Sequence, residues 1–470
     1  MSLLSKVKAK ARGPIDPQGQ VLLGFTEEGN APIFAPKGNS KTYAPSGVGK
    51  TTCVAMPTAK SFICSEPEKA VLISDPKDGE IAAQLVPMLA KLGRNVGVID
   101  PMNIRPELAK WRIDLNAFGA AVSAYQRDPR DLLYVNEMNS NALIEEPEDR
   151  DMKNFNFRQS PREIIELATQ MQLKRDPGAA TPGGAAALIS DRDMLLYYAE
   201  VEAEEGDPAL QSASRKFLYM KGEEHFDLYC SEALRALRHW GPGTRMADQG
   251  LGAIHSHEGL IKDGYVVVMV GPMARMQQMG PLYALNMGAF VEALYQKIGA
   301  LRIIADEFTN SPLKSLISTA ITTVRSYGGE FHLISQSRSE VLRTYGEHLT
   351  QTIEDNCITK RWLAFGNYAE AEEVSKAIGE EFALSTAMSG ETGGLSTNTN
   401  LSVVKQRQVT PSELMSLRAD QQLVHIRGVG YFICRTVRQN QISPYCDLIA
   451  PNPMEGGKLS SDPKVTFVTP

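Results

Sequence analysis

The chain has 470 residues, 43% hydrophobic and 22% charged, which is enough apolar material for two or three cores in an ordinary globular protein. Its net charge of −6 excludes a uniformly basic coat, so any DNA contact must come from a local patch or from a channel assembled by several subunits. The longest apolar run, VVVMVGPM at 266–273, falls far short of the roughly 20 residues of a membrane-spanning helix and reads as a buried strand.

In chain order, the opening MSLLSKVKAKARGP has a small basic cluster but no apolar core of a secretory signal, and reads as a frayed or peripheral segment. Residues 44–52, APSGVGKTT, form a phosphate-binding loop. Ser46, Gly47, Val48 and Gly49 supply backbone N–H groups that the glycines allow to turn inward, and the following helix N-terminus adds positive potential. Lys50 is expected to reach the β and γ phosphates of a nucleoside triphosphate, Thr51 to offer a hydroxyl to Mg²⁺, and Thr52 to complete the loop. The usual first glycine is replaced by Ala44, which demands a conventional backbone there. The preceding SKTY is poor in apolar residues for a buried strand.

AVLISD at 70–75 and NVGVID at 95–100 read as strands flanking a helix-like stretch at 79–93, a pattern that implies a parallel sheet. From about Phe118 to Gly250 the pattern is mainly helical. Ser160, Pro161 and Glu163 form a capping box ahead of Ile164, Ile165, Ala168 and Met171, and Phe226, Tyr229, Cys230, Ala233, Leu234 and Leu237 mark a later helix. His255 and His257 read as a satisfied pair beside a turn, since no third metal ligand is near. The six cysteines show no CxxC spacing and read as free thiols in a reducing cytoplasm.

Strand patterns return at 265–270, 301–306 and 331–335. The second of these ends in Asp306 and Glu307: the first is placed to hold Mg²⁺, the second to polarise water as a general base. Residues 389–402 are rich in glycine, serine and threonine and read as a flexible hairpin or loop. The expected fold class is α/β, a P-loop NTPase core with a mainly parallel sheet and an inserted all-α domain, RecA-like by the family resemblance that the ordered motifs carry. Its expected division is 1–118 and 251–450 for the nucleotide-binding domain, 119–250 for the helical insertion and 451–470 for a flexible tail.

The ordered motifs SDPKDGE (74–80), VGVIDPM, IDLN (113–116), ADEFTN and the segment 324–346, followed by 356–379 and 409–424, resemble the type IV secretion coupling proteins of bacterial conjugation, the TraG/TraD class. That resemblance implies a homo-oligomeric, hexameric ring that couples ATP hydrolysis to sequence-independent passage of DNA, joined to a relaxase or relaxosome, towards a type IV secretion channel. It makes Arg325 the candidate for an arginine reaching a neighbour's γ phosphate, the alternative being a surface ion pair. Gln336 is the candidate for orienting water or sensing that phosphate, the alternative being a satisfied strand terminus. Members of that family usually begin with transmembrane helices, whereas this sequence starts almost at the motor. The expected location is therefore cytoplasmic, with anchoring either absent or supplied peripherally at the inner membrane through a partner. Lys153, Arg158, Arg162, Lys174 and Arg175 are either a solvated face or a DNA-facing set repeated around a pore. Ala44 and the missing anchor leave a second reading: a non-catalytic adaptor that uses the nucleotide fold to recruit relaxase or effector proteins.

Overall fold

Short β-branched and aliphatic runs alternating with longer helical patterns can bury both faces of their strands only if helices cover the sheet on both sides. The computed structural model describes residues 17–27, 31–145, 154–310, 314–389 and 398–455. Its strands are β1 (Val21–Phe25), β2 (Pro32–Ala35), β3 (Ser40–Tyr43), β4 (Ala70–Asp75), β5 (Val96–Ile99), β6 (Val266–Val270), β7 (Leu301–Ala305), β8 (Gly329–Ser335), β9 (Thr359–Trp362), β10 (Glu380–Ser389), β11 (Asn398–Arg407), β12 (Gln421–Ile426) and β13 (Gly430–Thr436). An 11-stranded sheet runs β2-β1-β13-β12-β9-β3-β8-β7-β4-β6-β5, and β10 pairs with β11 in a separate hairpin. From β9 to β5 every pairing is parallel; β12, β13, β1 and β2 extend the sheet antiparallel.

The strands alternate strictly between two cores, as a period of two requires. Leu72, Val267, Met269 and Ile303 face one core, and Val71, Ile73, Val266, Val268 and Ile304 the other. The first is covered by α10 (His257–Lys262), α11 (Met276–Tyr295), α12 (Lys314–Thr323) and α13 (Arg338–Asn356), the second by α1 (Met56–Ser65) and α2 (Glu80–Lys91).

Between β5 and β6 the chain is helical: α3 (Gly119–Arg127), α4 (Leu132–Leu143), α5 (Phe155–Arg175), α6 (Pro182–Ser190), α7 (Arg192–Glu205), α8 (Pro208–Met220) and α9 (Phe226–Ala236). Ile164, Ile165, Ala168, Met171, Phe217, Cys230 and Trp240 fill a core of their own. That core is closed by Met279, Leu282 and Leu285 of α11, whose Tyr283, Met287 and Phe290 face the sheet instead. A helix apolar on every side is a buried one, and α11 is the joint between the two bodies.

Two local readings change. The capping box at Ser160 is absent: α5 begins at Phe155 and carries Pro161 inside it. Phe157 packs its ring 5.3 Å from His225 and 5.8 Å from Tyr229, so tertiary packing carries the helix upstream of a proline that would otherwise open it. SKTY, poor in apolar residues, is nonetheless the strand β3, the middle strand of the 11-stranded sheet. Lys41 lies there wholly buried, donating to Ser335 Oγ at 2.7 Å and standing 3.9 Å from the Phe308 ring centroid. Burial drives its pKa down to about 7, against the pull of Cys357 and Glu354.

Of the loop expected at 389–402, residues 390–397 lie outside the described part; what flanks them is the β10–β11 hairpin. All six cysteines are free thiols, four of them buried. His257 is buried, with Nε2 3.0 Å from Asn286 Oδ1, and no cluster of metal-ligating side chains occurs among the described residues.

Candidate nucleotide site

In a parallel sheet the carboxyl ends of the strands are where loops converge on a ligand. Here β8 separates β3 from β7, so the loop after β3, Gln336 after β8 and the acidic pair after β7 lie at adjacent strand ends. The loop leaves β3 through Ala44, fully buried, whose N–H donates to Ser335 O at 3.0 Å. Ala44 is not among the positive-φ residues, which explains why its methyl group is accepted. Gly47 and Gly49 have φ of 84° and 89°, and a Cβ on Gly47 would meet nothing within 4 Å. Beyond Gly49 the chain coils at once, in wide turns over Lys50–Ala55 that continue into α1. Thr52 Oγ1 donates back to Gly49 O at 3.4 Å.

The charged side chains are gathered tightly. Lys50 Nζ lies 2.5 Å from Glu307 Oε1, both groups about 5% exposed. Lys77, in the turn after β4, places Nζ 3.4 Å from Asp306 Oδ2, 3.7 Å from Glu307 Oε1 and 3.4 Å from Thr51 Oγ1. Thr51 donates to Glu80 Oε2 at 3.1 Å, and Glu80 Oε1 accepts from Asn452 Nδ2 at 2.7 Å. Ser46 Oγ is 3.4 Å from Gln336 Oε1. Burial raises the Asp306 carboxyl, opposed by Lys77 and reinforced by Glu307. Burial works against the charge on Lys77, but Asp306 and Glu307 outweigh it and raise its pKa. Asp75, at the end of β4, is pushed up to about 7 by burial, though it accepts the Ala82 N–H at 2.8 Å.

Glu307 carries two further marks of a working group. Its φ is 48°, a region that a side chain other than glycine occupies only when its surroundings impose it, and its Oε2 is buried with no hydrogen-bond partner among the described residues. An open glycine cradle, two lysines and an unpartnered carboxylate oxygen suit a magnesium nucleotide.

The structure therefore brings Ser46, Lys50, Thr51, Asp306, Glu307 and Gln336 together. Arg325 is elsewhere: it is exposed, in the turn Val324–Tyr327 that precedes β8, at the opposite end of that strand and roughly 20 Å along it. Lys77 and Glu80 belong to the site although residue chemistry alone gave them no task. The signal was the SDPKDGE segment, a strand end running into a turn with φ of 50° at Asp78 and 73° at Gly79.

Of the basic residues in the helical region, Lys153 lies outside the described residues. Arg162 is buried and donates to Ile144 O, while Lys174 and Arg175 both pair with Glu202. Arg158 lines a cavity of about 310 Å³ with Arg235, Arg238 and His239.

The sheet order, with the phosphate loop and the acidic strand end one strand apart, is that of the RecA-like P-loop NTPase fold. Residues 300–419 match the family described as the TraM recognition site of TraD and TraG. Among solved structures the fold is similar to plasmid coupling protein TrwB in complex with the non-hydrolysable ATP analogue ADPNP (13% identity, TM-score 0.59, covering 85% of this chain and 84% of that one). It is similar also to TrwB in complex with ADP and Mg²⁺ (13%, 0.58, 85% of each chain). A third similar structure is VirB4 of Thermoanaerobacter pseudethanolicus (14%, 0.52, 92% of this chain and 99% of that one). No curated protein matches the sequence. The chain thus resembles the type IV secretion coupling proteins, by sequence over 300–419 and by fold over most of its length. No helix among the described residues is long and apolar enough to cross a membrane.

Proposed function

We propose that this chain is an ATP-driven coupling protein that recruits DNA or relaxase–DNA complexes and moves them towards a type IV secretion channel. The observation that carries this reading is the convergence of Lys50, Thr51, Asp306 and Glu307 at adjacent strand ends of a RecA-like sheet. A non-catalytic adaptor would have no use for a strained, buried carboxylate beside the phosphate loop.

In this reading the backbone of residues 46–49 and the side chain of Lys50 hold the phosphates of ATP, with Thr52 closing the loop. Thr51 and Asp306 hold Mg²⁺, which neutralises phosphate charge when bound. Lys50 leaves Glu307 for the phosphates, freeing a carboxylate that accepts the proton of the attacking water. Gln336 orients that water from the end of β8. Arg325, being remote from its own site, acts on the nucleotide of a neighbouring subunit in a ring, hexameric by the likeness to coupling proteins. The nucleotide-binding domain comprises 1–118 and 251–450, the helical unit 119–250 faces the cargo, and 451–470 is a tail. A partner holds the motor peripherally at the inner membrane, on the cytoplasmic side.

The test is ATP hydrolysis by the purified chain with and without single- and double-stranded DNA. Turnover should rise with DNA, and Glu307→Gln should lower it by about 10²–10⁴-fold with the fold retained. Equal turnover in Glu307→Gln would refute the assignment of the base, and no turnover in any condition would favour the adaptor.

A further inference from the structure

Lys77 stands where the site, on the reading above, takes its metal. Its ammonium lies 3.4 Å from both Thr51 Oγ1 and Asp306 Oδ2, the two oxygens assigned to Mg²⁺, and 3.7 Å from Glu307 Oε1. The backbone beneath it is fixed. Asp78 N donates to Gly271 O at 3.0 Å, Asp78 Oδ1 accepts the Met273 N–H at 2.9 Å, and Arg105 Nε donates to Asp78 O. Gly79 is left-handed, and a Cβ there would meet Arg105 Cγ at 2.7 Å. The turn is thus anchored to the ends of β4 and β6, while the lysine head sits on a flexible four-carbon stem, a point charge that can leave without moving the turn.

The charges explain why a cation belongs there. Asp306 and Glu307 are almost wholly buried neighbours, and Lys50 contacts only Glu307 among the two. Without Lys77, the buried Asp306 carboxylate would keep, among the described residues, only the weaker and more distant pull of Lys50, an expensive arrangement. A divalent ion could neutralise it equally well.

We propose that Lys77 is a tethered cation that fills the divalent-metal position of the nucleotide-free site and must withdraw when a magnesium nucleotide enters. It keeps Asp306 and Glu307 from binding free metal, so that metal enters only together with the phosphates that draw Lys50 and Lys77 away. This inference rests on the nucleotide reading of the loop, and it assigns Lys77 a positioning and gating role.

The experiment uses the full chain without nucleotide and Mn²⁺ alone as probe, with free Mn²⁺ measured by electron paramagnetic resonance. Wild type should bind weakly. Lys77→Met and Lys77→Gln should bind about tenfold tighter or more, because the carboxylates then face the metal without a competing charge. Lys77→Arg, which keeps the cation, should stay close to wild type. Mn²⁺ should raise the melting temperature of the two neutral variants and leave that of wild type unchanged. Unchanged or weaker Mn²⁺ binding in folded Lys77→Met or Lys77→Gln would overturn the proposal. A measurement on wild type guards against misfolded variants: acylation of the Lys77 amine by a water-soluble active ester, read by mass spectrometry, should rise when MgADP is added. Constant labelling under saturating MgADP would also overturn it. Failure of wild type to bind fluorescent MgADP, or equal binding by Lys50→Ala, would instead refute the nucleotide reading and leave the Mn²⁺ comparison interpretable.

Discussion

The two ends of the central parallel sheet bury similar amounts of charge and treat it differently. At the carboxyl ends, the cations nearest the phosphate loop are lysines, Lys50 on Glu307, Lys77 on Asp306 and Lys41 beneath the loop, with Arg338 on Glu354 after β8. At the amino ends Glu66 is held by two cations, the part-exposed Lys69 and the buried Arg302, whose guanidinium is 3.1 Å from Glu66 Oε2 and 3.7 Å from Glu330 Oε1, and which donates to Gly328 O at 3.1 Å. Gly328, with φ of 86°, closes the turn that presents Arg325. A planar guanidinium fork fixes several acceptors at once, whereas an ammonium on a flexible stem can change partners. The lysines beside the phosphate loop can hand their charge over, whereas Arg302 holds a turn in place. Each end leaves one buried acid oxygen without a hydrogen bond among the described residues, Glu307 Oε2 and Glu330 Oε2; at the amino end Glu330 is raised by burial against Arg302, and His332 is driven down to about 3 by burial and by Arg302.

The largest test of this contrast concerns the residue that the amino end displays. Arg325→Ala should lower DNA-stimulated turnover of the assembled protein by about 10³-fold or more, the range for an arginine that completes a neighbour's site. Mixing it with inactive Lys50→Ala should restore part of the activity, since some interfaces then pair an intact loop with an intact arginine. Absence of restoration at any ratio would remove the role in trans.

Next in size, Arg302→Met should destabilise the fold by about 3 kcal/mol, because Glu330 would lose its arginine while still buried and Glu66 would keep only the part-exposed Lys69. Chemical denaturation measures the loss. A drop below about 1 kcal/mol would mean that the amino end is no more rigidly built than the carboxyl end.

The smallest effect is at the carboxyl end and depends on pH. Asp75 has a folded pKa of about 7, above its unfolded value of 3.8, so its contribution to stability is fully present below the unfolded value and is lost as pH rises through about 7. Asp75→Asn should therefore gain about 1.4 kcal/mol on wild type between pH 6 and pH 8. Thermal melts at the two pH values would show it; a constant difference would mean that Asp75 is ionised throughout.

Much of the architecture was legible in the chain. AVLISD is β4 to the residue, the helix expected at 79–93 is α2, and the apolar run at 266–270 is β6, because aliphatic strands buried on both faces announce themselves by composition alone. β3 did not announce itself. Its Lys41 is acceptable only because burial removes much of its charge and because Ser335 and Phe308, nearly three hundred residues away, receive it. The start of α5 was hidden for the same kind of reason, since the partners of Phe157 lie on α9 and just before it.

By itself the sequence determined the local chemistry: a loop whose glycines permit left-handed turns, a strand ending in two acids, and an order of motifs. Only the tertiary structure decided which of these meet. The order β3-β8-β7 sets the loop, Gln336 and the acids side by side and sends Arg325 to the far end of the same strand. The turn after β4 delivers Lys77 onto Asp306 across more than two hundred residues. Backbone preference is a property of neighbours along the chain, whereas electrostatic pairing depends on distance in space, and that distance is fixed only when the sheet closes.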